Sequence, residues 1–145
     1  MVNLSIFVER LNEYVNDENL NATSLAKKIG FSRITVTNIL NGVHKPSTKA
    51  LIALVDCFNC SADYLLGLIE FAEDKKYFKF TPIGERLRKL LKQAQMTEYR
   101  FQREYSISSS LSYRWLNNKA LPNVDNLIKL SKFFGCSIDY LLGRE

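Results

Sequence analysis

The chain has 145 residues, of which 46% are hydrophobic and 24% are charged. This composition is that of a globular protein, and it excludes a disordered or fibrous chain. No apolar run reaches the roughly 18 residues of a membrane span, and the first residues, MVNLSIFVER, do not resemble a secretory signal. We therefore expect a cytoplasmic protein. The net charge of +5 is compatible with an anionic partner but does not prove one.

Few residues are available for catalysis or metal binding. The chain has one histidine and three cysteines. Cys57 and Cys60 have CxxC spacing, but a zinc site needs four ligands, and only Cys136 and His44 remain. We interpret these cysteines as core residues. The sequence contains no P-loop, GxSxG or HExxH motif. We therefore expect no enzyme, no metal, no cofactor and no small-molecule ligand.

An internal repeat organises the chain. The segment CFNCSADYLLG (57–67) resembles FFGCSIDYLLG (133–143) at an offset of 76 residues, and the same offset continues backward without a gap. Residues 7–69 and 83–145 share 18 identities over 63 positions. The chain is therefore two copies of one unit of about 65 residues, which is near the small end for independent folding.

Each copy is predicted to contain five short helices. Apolar residues at i, i+4, i+7 and i+8 define the first helix, from Phe7 in the first copy and, in similar form, from Ile83 in the second. Side chains that cap helix N-termini precede each predicted helix. The predicted caps are Ser5, Asn21, Ser32, Ser47, Ser61, Thr81, Thr97, Ser108, Asn123 and Ser137.

We predict two domains, at residues 1–69 and 81–145, with a connector at residues 70–80. The stretch between the copies has no glycine or proline, and it carries four aromatic residues. A flexible tether does not need these aromatics. We therefore expect an ordered connector that packs the copies together, with KYFKF (76–80) extended or helical.

The second and third helices of the first copy carry the most specific pattern. In ATSLAKKIGFSRITVTNIL (22–40), five apolar residues can form a shared core, and the small Ala26 allows a close crossing. Gly30 lies between the helices, where a left-handed backbone costs little only without a Cβ atom. Two short helices joined by such a turn form a helix-turn-helix, whose second helix enters the major groove of DNA.

The segment LNATSLAKKIGFSRITVTNILNGVHKPS (20–47), together with the terminal SADYLLG, resembles the lambda-repressor-like, Cro/XRE-type helix-turn-helix family. The second copy resembles this family more weakly. The resemblance implies an all-α fold with two tandem five-helix DNA-binding domains. It also implies a sequence-specific transcription regulator of bacterial or phage type, most simply a repressor that occupies a double-stranded DNA operator.

The resemblance assigns roles to matching positions. The base-reading candidates lie on the outward face of each recognition helix, where arginine can bind guanine and asparagine can bind adenine. They are Arg33, Ile34, Thr35, Thr37 and Asn38 in the first copy, and Ser109, Ser110, Tyr113 and Arg114 in the second. The phosphate candidates are Thr23, Asn41, Gly42, Lys45 and Lys119.

The second copy departs from the motif at its inner positions. Gln102 stands where the first copy has Ala26, and Ser106 stands where it has Gly30. Ser112 and Trp115 replace the apolar residues expected inside the recognition helix. We expect Gln102 to push the two helices apart or to turn outward, and Trp115 to lie in the core. We expect the basic run Arg86, Arg88, Lys89 and Lys92 to be a solvated helix face.

Charge leaves several interpretations open. Residues 1–73 contain 6 Lys+Arg and 8 Asp+Glu, whereas residues 74–145 contain 14 and 7. The first copy can read bases while the second attracts the backbone, or the second alone can bind nucleic acid. The chain can bind as an intramolecular pseudo-dimer, or one copy can bind DNA while the other mediates homodimerisation. The alternative function is a protein-interaction module in which one or both units no longer bind DNA.

Overall fold

Ten helices and no strand make up the computed structural model, which describes residues 1–145. The predicted all-α fold with five helices per copy is confirmed. Contacts divide the chain into two units, Met1–Tyr77 and Phe78–Glu145. The first unit contains α1 (Leu4–Asp17), α2 (Ala22–Ile29), α3 (Arg33–Leu40), α4 (Thr48–Phe58) and α5 (Ala62–Leu65). The second contains α6 (Ile83–Gln93), α7 (Glu98–Tyr105), α8 (Ser109–Leu116), α9 (Val124–Phe134) and α10 (Ile138–Leu141).

Side-chain caps begin nine of the ten helices. The predictions of Ser5 and Thr81 as caps are wrong. Helix α1 starts earlier than predicted, because the Asn3 side chain accepts a hydrogen bond from the backbone of Ile6. Helix α6 begins after Pro82, which makes no capping hydrogen bond. The other eight predicted caps are confirmed: Asn21, Ser32, Ser47, Ser61, Thr97, Ser108, Asn123 and Ser137.

The core of the first unit is mostly aliphatic. Leu11 of α1, Leu25 of α2 and Leu51 of α4 are fully buried. At its edge the ring of Tyr14 stacks on Phe58, with centroids 5.6 Å apart. Burial, followed by nearby Cys60 and tyrosine side chains, raises the pKa of Tyr14. This aliphatic core holds α2 and α3 in place from the inner side.

The second unit adds an aromatic cluster to an aliphatic core. Phe101, Tyr105, Trp115, Phe133 and Phe134 form a cluster with ring centroids 5.0 to 5.9 Å apart. Trp115 is only 2% exposed, so its predicted place in the core is confirmed. The Tyr105 hydroxyl donates to the side-chain oxygen of Asn126 at 2.8 Å, and burial raises its pKa to about 12. Three of these rings stand at the positions that the smaller side chains of Leu25, Ile29 and Ile39 hold in the first unit.

One buried polar atom in the second unit has no partner. The Ser112 hydroxyl is fully buried and makes no hydrogen bond, at the position where the first unit has Val36. We expect Ser112→Ala to raise the free energy of unfolding of this unit by about 1 kcal/mol, because it removes an unsatisfied group. Trp115 is the only tryptophan, so its fluorescence during urea unfolding reports on this unit.

Ser110→Ala is the matched control for this measurement. Ser110 lies on the same helix, so its replacement gives the same gain of helix propensity, but its side chain is exposed. The Ser112→Ala variant should be stabilised more than the Ser110→Ala variant. An equal or smaller gain would contradict the interpretation of Ser112 as an unsatisfied group.

The stretch that joins the repeats contains no helix. Residues 72–82 have no regular secondary structure. Within the first unit, Tyr77 is buried and its backbone N–H donates to the side chain of Asn59 at 3.2 Å. Within the second unit, the Phe78 N–H donates to the carbonyl of Arg144 at 2.9 Å. Each end of the stretch is therefore hydrogen-bonded within its own unit. None of the helices is long and apolar enough to cross a membrane.

Candidate nucleic-acid interface

A tight turn connects α2 to α3 in the first unit. Helix α2 begins with a capping box, in which the side chains of Asn21 and Ser24 each accept a hydrogen bond from the other's backbone. It ends at Gly30, whose φ of +76° lies in the left-handed region that favours glycine. Ser32 then caps α3 by accepting from the Thr35 N–H at 3.1 Å. The helix-turn-helix expected from the sequence is therefore present.

The inner side of this motif is closed by apolar contacts. Leu25 and Ala26 of α2 and Val36 and Ile39 of α3 are all buried. Ala26 carries only a methyl group, which allows the two helices to pack closely. Since the inner side of α3 is fully occupied, the outer side is the face that can meet a partner.

Four candidate residues form the outer face of α3. Arg33 and Ile34 are exposed, and Ile34 has 75% of its surface accessible. Thr37 and Asn38 are half-buried and line one shallow concavity together with Arg33 and Ile34. No hydrogen bond or ion pair within the protein holds the side chain of Arg33, Thr37 or Asn38. This face therefore combines one cation, one amide, one hydroxyl and one apolar side chain.

Thr35 lies in a different environment. Its hydroxyl oxygen accepts a hydrogen bond from the Ser32 hydroxyl at 2.8 Å, and its side chain is half-buried. The Thr35 hydroxyl therefore takes part in capping α3, unlike the side chains of the outer face.

The phosphate candidates of the first unit flank the two helices. Thr23 is exposed at the second position of α2, and Asn41 is exposed at the end of α3. Gly42 follows with a φ of +69° and lies against the side chain of Val8. Lys45 is exposed in the next loop, where its carbonyl lies 3.1 Å from Nδ1 of His44.

The second unit repeats this geometry with different residues. Ser106 takes the place of Gly30 and adopts the same left-handed backbone, with a φ of 64°. Ser108 caps α8 by accepting from the Leu111 N–H at 3.1 Å. Gln102 is half-buried, and α7 and α8 pack less closely than α2 and α3. The half-buried Gln102 side chain therefore lies where the first unit has only an alanine methyl group.

The outer face of α8 is polar and exposed. Ser109, Ser110, Tyr113 and Arg114 all lie on the surface, and Tyr113 has 54% of its area accessible. Lys119 is exposed in the loop that follows, where its backbone N–H donates to the carbonyl of Arg114 at 2.8 Å. All five candidates of the second unit are therefore on the surface.

Sequence reasoning missed the contacts that fix the far ends of α3 and α8. In the first unit, the Asn12 side-chain amide donates to the carbonyl of Leu40 at 3.2 Å. At the equivalent place in the second unit, Arg88 donates to the carbonyl of Leu116 at 3.3 Å and to the Asn117 side chain at 2.9 Å. The two polar residues lie 76 positions apart, so the repeat offset was the signal that could have found them.

At the same place, each unit has a further contact between its first helix and the end of its third. This contact involves a glycine in both units, but the glycine lies on opposite sides of it. In the first unit, Val8 on α1 faces Gly42 after α3. In the second unit, the glycine is Gly84 on α6, and its N–H donates to the side chain of Asn118 at 2.7 Å. A Cβ atom on Gly84 would lie 2.5 Å from the carbonyl oxygen of Leu116. Each unit therefore needs one glycine where its first helix meets the end of its third.

The basic run on α6 is only partly a solvated surface, so the expectation of a solvated face needs correction. Arg86 is half-buried and lies over the ring of Tyr140 at 4.2 Å, while its guanidinium donates to the carbonyl of Glu145 at 2.8 Å. Arg88 donates to the carbonyl of Leu116 and to the side chain of Asn117 at the end of α8. Lys89 and Lys92 are exposed, as expected. Two of the four charges therefore contribute to the fold of the second unit.

An exposed aromatic residue on α7 was also missed. Tyr99 is 67% exposed and occupies the position equivalent to Thr23, a phosphate candidate of the first unit. Arg103 lies near its ring, 5.8 Å from the centroid.

The cysteines do not form a chemical centre. Cys60 is buried and Cys57 is half-buried, and none of the three cysteines forms a disulfide. Burial raises the pKa of the Cys57 thiol, with opposing effects from Lys28 and Glu18. A raised pKa disfavours the reactive thiolate. No group of three or more histidine, cysteine or acidic side chains that could hold a metal ion is present.

Comparison with protein families finds the same motif twice. One model, described as helix-turn-helix, matches residues 11–65. A second model, described as a helix-turn-helix domain, matches residues 84–145. Neither the curated proteins nor the solved structures give a match.

Fold, site and family comparison define one class of protein. It is an all-α DNA-binding regulator, and helix-turn-helix families of this kind are typically non-enzymatic. The chain belongs to the Cro/XRE-type helix-turn-helix family, with two such domains in tandem.

Proposed function

We propose that this protein is a sequence-specific, double-stranded DNA-binding transcription regulator that acts as a repressor by occupying its operator. The observation that supports this most is the outer face of α3. Its arginine, asparagine and threonine side chains have no partner within the protein, although the inner side of the same helix is fully packed. Such a face has the chemistry needed to contact base edges in the major groove.

In the first unit, we assign base contacts to the outer face of α3. Arg33 binds guanine through its two-pronged guanidinium group, and Asn38 binds adenine through its amide. Ile34 contacts a thymine methyl group, and Thr37 supplies a hydroxyl. Thr35 has a smaller role in reading bases, because Ser32 already engages its hydroxyl. Phosphate contacts, which set the register, come from Thr23, Asn41, Gly42 and Lys45.

In the second unit, we assign base contacts to Ser109, Ser110, Tyr113 and Arg114, and a phosphate contact to Lys119. This unit carries most of the positive charge. Residues 78–145 contain 12 Lys+Arg and 6 Asp+Glu, whereas residues 1–77 contain 8 and 9. Backbone attraction requires only positive charge. We therefore propose that both units bind DNA, and that the second supplies most of the electrostatic affinity.

The arrangement on the operator is part of the same proposal. We assign the domains to residues 1–69 and 81–145, with residues 70–80 as the connector. An intramolecular pseudo-dimer and a homodimer are both compatible with two helix-turn-helix units in one chain.

A second candidate function is a protein-interaction module. The acidic balance of the first unit and the looser α7–α8 crossing favour it, since both weaken the case for DNA contact. This candidate predicts that neither recognition helix selects a base sequence.

Selection of bound duplexes from a randomised DNA pool tests the proposal. The full chain is incubated with the pool at near-physiological salt, and the bound duplexes are sequenced. We expect enrichment of a defined sequence over the input pool. No enrichment would overturn the proposal and favour the interaction module.

Lys119→Gln should weaken DNA binding equally for all sequences. A phosphate contact adds counterion release, so its loss should reduce the slope of log K against log salt by about one. Titrations of selected and scrambled duplexes at salt concentrations from about 50 to about 200 mM measure this slope. Lys132→Gln, on the exposed face of α9, is the control with the same charge change. Equal slopes for Lys119→Gln and wild type would remove Lys119 from the interface.

A further inference from the structure

The two recognition helices occupy the same position in their units. Helices α3 and α8 each have eight residues, and each begins after a serine cap that accepts from the backbone three residues later. Ser32 and Ser108 are 76 positions apart, which is the repeat offset. Equivalent positions of α3 and α8 therefore present their side chains in the same direction within each unit.

The outer faces of these two helices have no residue in common. Arg33 and Ile34 in the first unit correspond to serines in the second. Thr37 corresponds to Tyr113, and Asn38 corresponds to Arg114. The two helices share the serine caps at their starts and the leucines at their ends. The repeat therefore keeps the bounds of the helix, whereas its outer face differs.

The arginine, which is the strongest base-reading group, has also moved along the helix. Arg33 is the first residue of α3, whereas Arg114 is the sixth residue of α8. The arginine of α8 is therefore five positions further along its helix. At a rise of 1.5 Å per residue, this is a shift of about 7.5 Å along the helix axis. Consecutive base pairs are about 3.4 Å apart, so the guanine contact falls on a different base pair in each half-site.

From this comparison we propose that one chain binds as an intramolecular pseudo-dimer to an asymmetric operator, whose two unlike half-sites give the bound protein a defined orientation. This inference rests on the proposed function. Homodimers of a single helix-turn-helix unit bind pseudo-palindromic operators, because identical recognition helices read identical half-sites. Here α3 favours a half-site with guanine and adenine contacts. Helix α8 favours a half-site whose guanine lies at a different base pair and is next to a base pair that a tyrosine contacts.

An exchange of outer faces tests the inference. In the first variant, Ser109→Arg, Ser110→Ile, Tyr113→Thr and Arg114→Asn give α8 the outer face of α3. In the reciprocal variant, Arg33→Ser, Ile34→Ser, Thr37→Tyr and Asn38→Arg give α3 the outer face of α8. The exchanged side chains are exposed, except those of Thr37 and Asn38, which are half-buried. Trp115 fluorescence checks the fold of the first variant, and the helical circular dichroism signal checks both.

We expect the wild-type chain to select two unlike sequence blocks, and each variant to select two alike blocks of opposite types. Each variant should also bind the wild-type operator more weakly, by roughly 5- to 150-fold for each mismatched base pair. Two variants are used so that a failure of one to fold leaves the other to decide.

Four outcomes would overturn the inference. If the wild-type chain selects two alike blocks, or one block that the α8 exchange leaves unchanged, the operator does not have two unlike half-sites, although specific DNA binding stands. If both folded variants select the wild-type pair of blocks, the outer faces do not determine the half-sites. If the wild-type chain enriches no sequence, the proposed function fails together with the inference.

Discussion

Replacing Arg33 and Asn38 together by alanine should weaken binding to the selected operator by roughly 30- to 10⁴-fold, because each bidentate base contact contributes about 1–3 kcal/mol of discrimination. Both side chains lie on the outer face of α3 without a partner in the protein, so their removal should leave the fold intact. Binding to a scrambled duplex should weaken much less, since one lost charge affects only the electrostatic part.

Fluorescence anisotropy at about 150 mM salt measures both affinities; this ionic strength shortens the Debye length to about 8 Å. The control is the double variant Asn16→Ala with Lys28→Ala, which also removes one amide and one positive charge. Both control side chains are exposed, and Lys28 lies 3.7 Å from Glu18 at the end of α1, not on the outer face of α3. An equal loss of affinity in the control variant, or an unchanged operator affinity in Arg33→Ala with Asn38→Ala, would contradict base reading by α3.

Gly84→Val should reduce the free energy of unfolding of the second unit by about 3 kcal/mol, at the upper end of the range for overpacking. Even a Cβ atom at this position would lie 2.5 Å from the Leu116 carbonyl oxygen and 2.8 Å from the side-chain oxygen of Asn118. Helix α6 would have to move away from the end of α8. The hydrogen bond from Gly84 to Asn118 would then be lost as well.

The first unit suggests a partial rescue. There the valine is Val8 and the glycine is Gly42, so Gly84→Val with Asn118→Gly rebuilds the same pair in the second unit. Asn118 already has a positive φ of 58°, which glycine adopts without strain. We expect the double variant to recover about 1 kcal/mol beyond additivity, within the usual range for residues in contact. Urea unfolding followed by Trp115 fluorescence measures the free energy of unfolding of the wild type, both single variants and the double variant. Strictly additive effects would contradict a direct contact between these positions.

Much of the fold could be predicted because its determinants are local. Periodic apolar residues define the helices, and a serine, threonine or asparagine before each helix defines where it begins. The two errors in the caps have different causes. Asn3 satisfies the start of α1 before Ser5 can, which is a local effect. Thr81 is held by a distant part of the chain instead, because its backbone N–H donates to the carbonyl of Leu142, in the last turn of the second unit.

The contacts that the sequence did not predict join residues far apart in the chain. Arg88 reaches the end of α8, and Gly84 allows α6 to approach it closely. Such contacts depend on how helices meet, which residue types and spacing do not specify. The ion pair of Asp139 and Arg144, at 2.5 Å with both side chains only 1% exposed, is different, because these residues lie only five positions apart. The first unit has Leu68 where the second has Arg144, so the repeat itself gave no indication of this pair.

The candidate site was predictable in its position but not in its details. The turn at Gly30 and the buried Val36 and Ile39 determine which face of α3 points outward. The sequence did not indicate that Ser32 engages the hydroxyl of Thr35, because a side chain at this register can point either to the cap or to a partner. It also gave no reason to single out Tyr99, whose equivalent in the first unit is a threonine.

The ratio of affinities for the selected operator and for a scrambled duplex of equal length and composition decides whether this protein reads a DNA sequence. The full chain is titrated with each duplex at about 150 mM salt, where non-specific attraction is weakened. We expect the operator to bind at least about 10³-fold more tightly, as specific DNA-binding proteins do. A ratio near one would contradict the claim that this protein reads a DNA sequence.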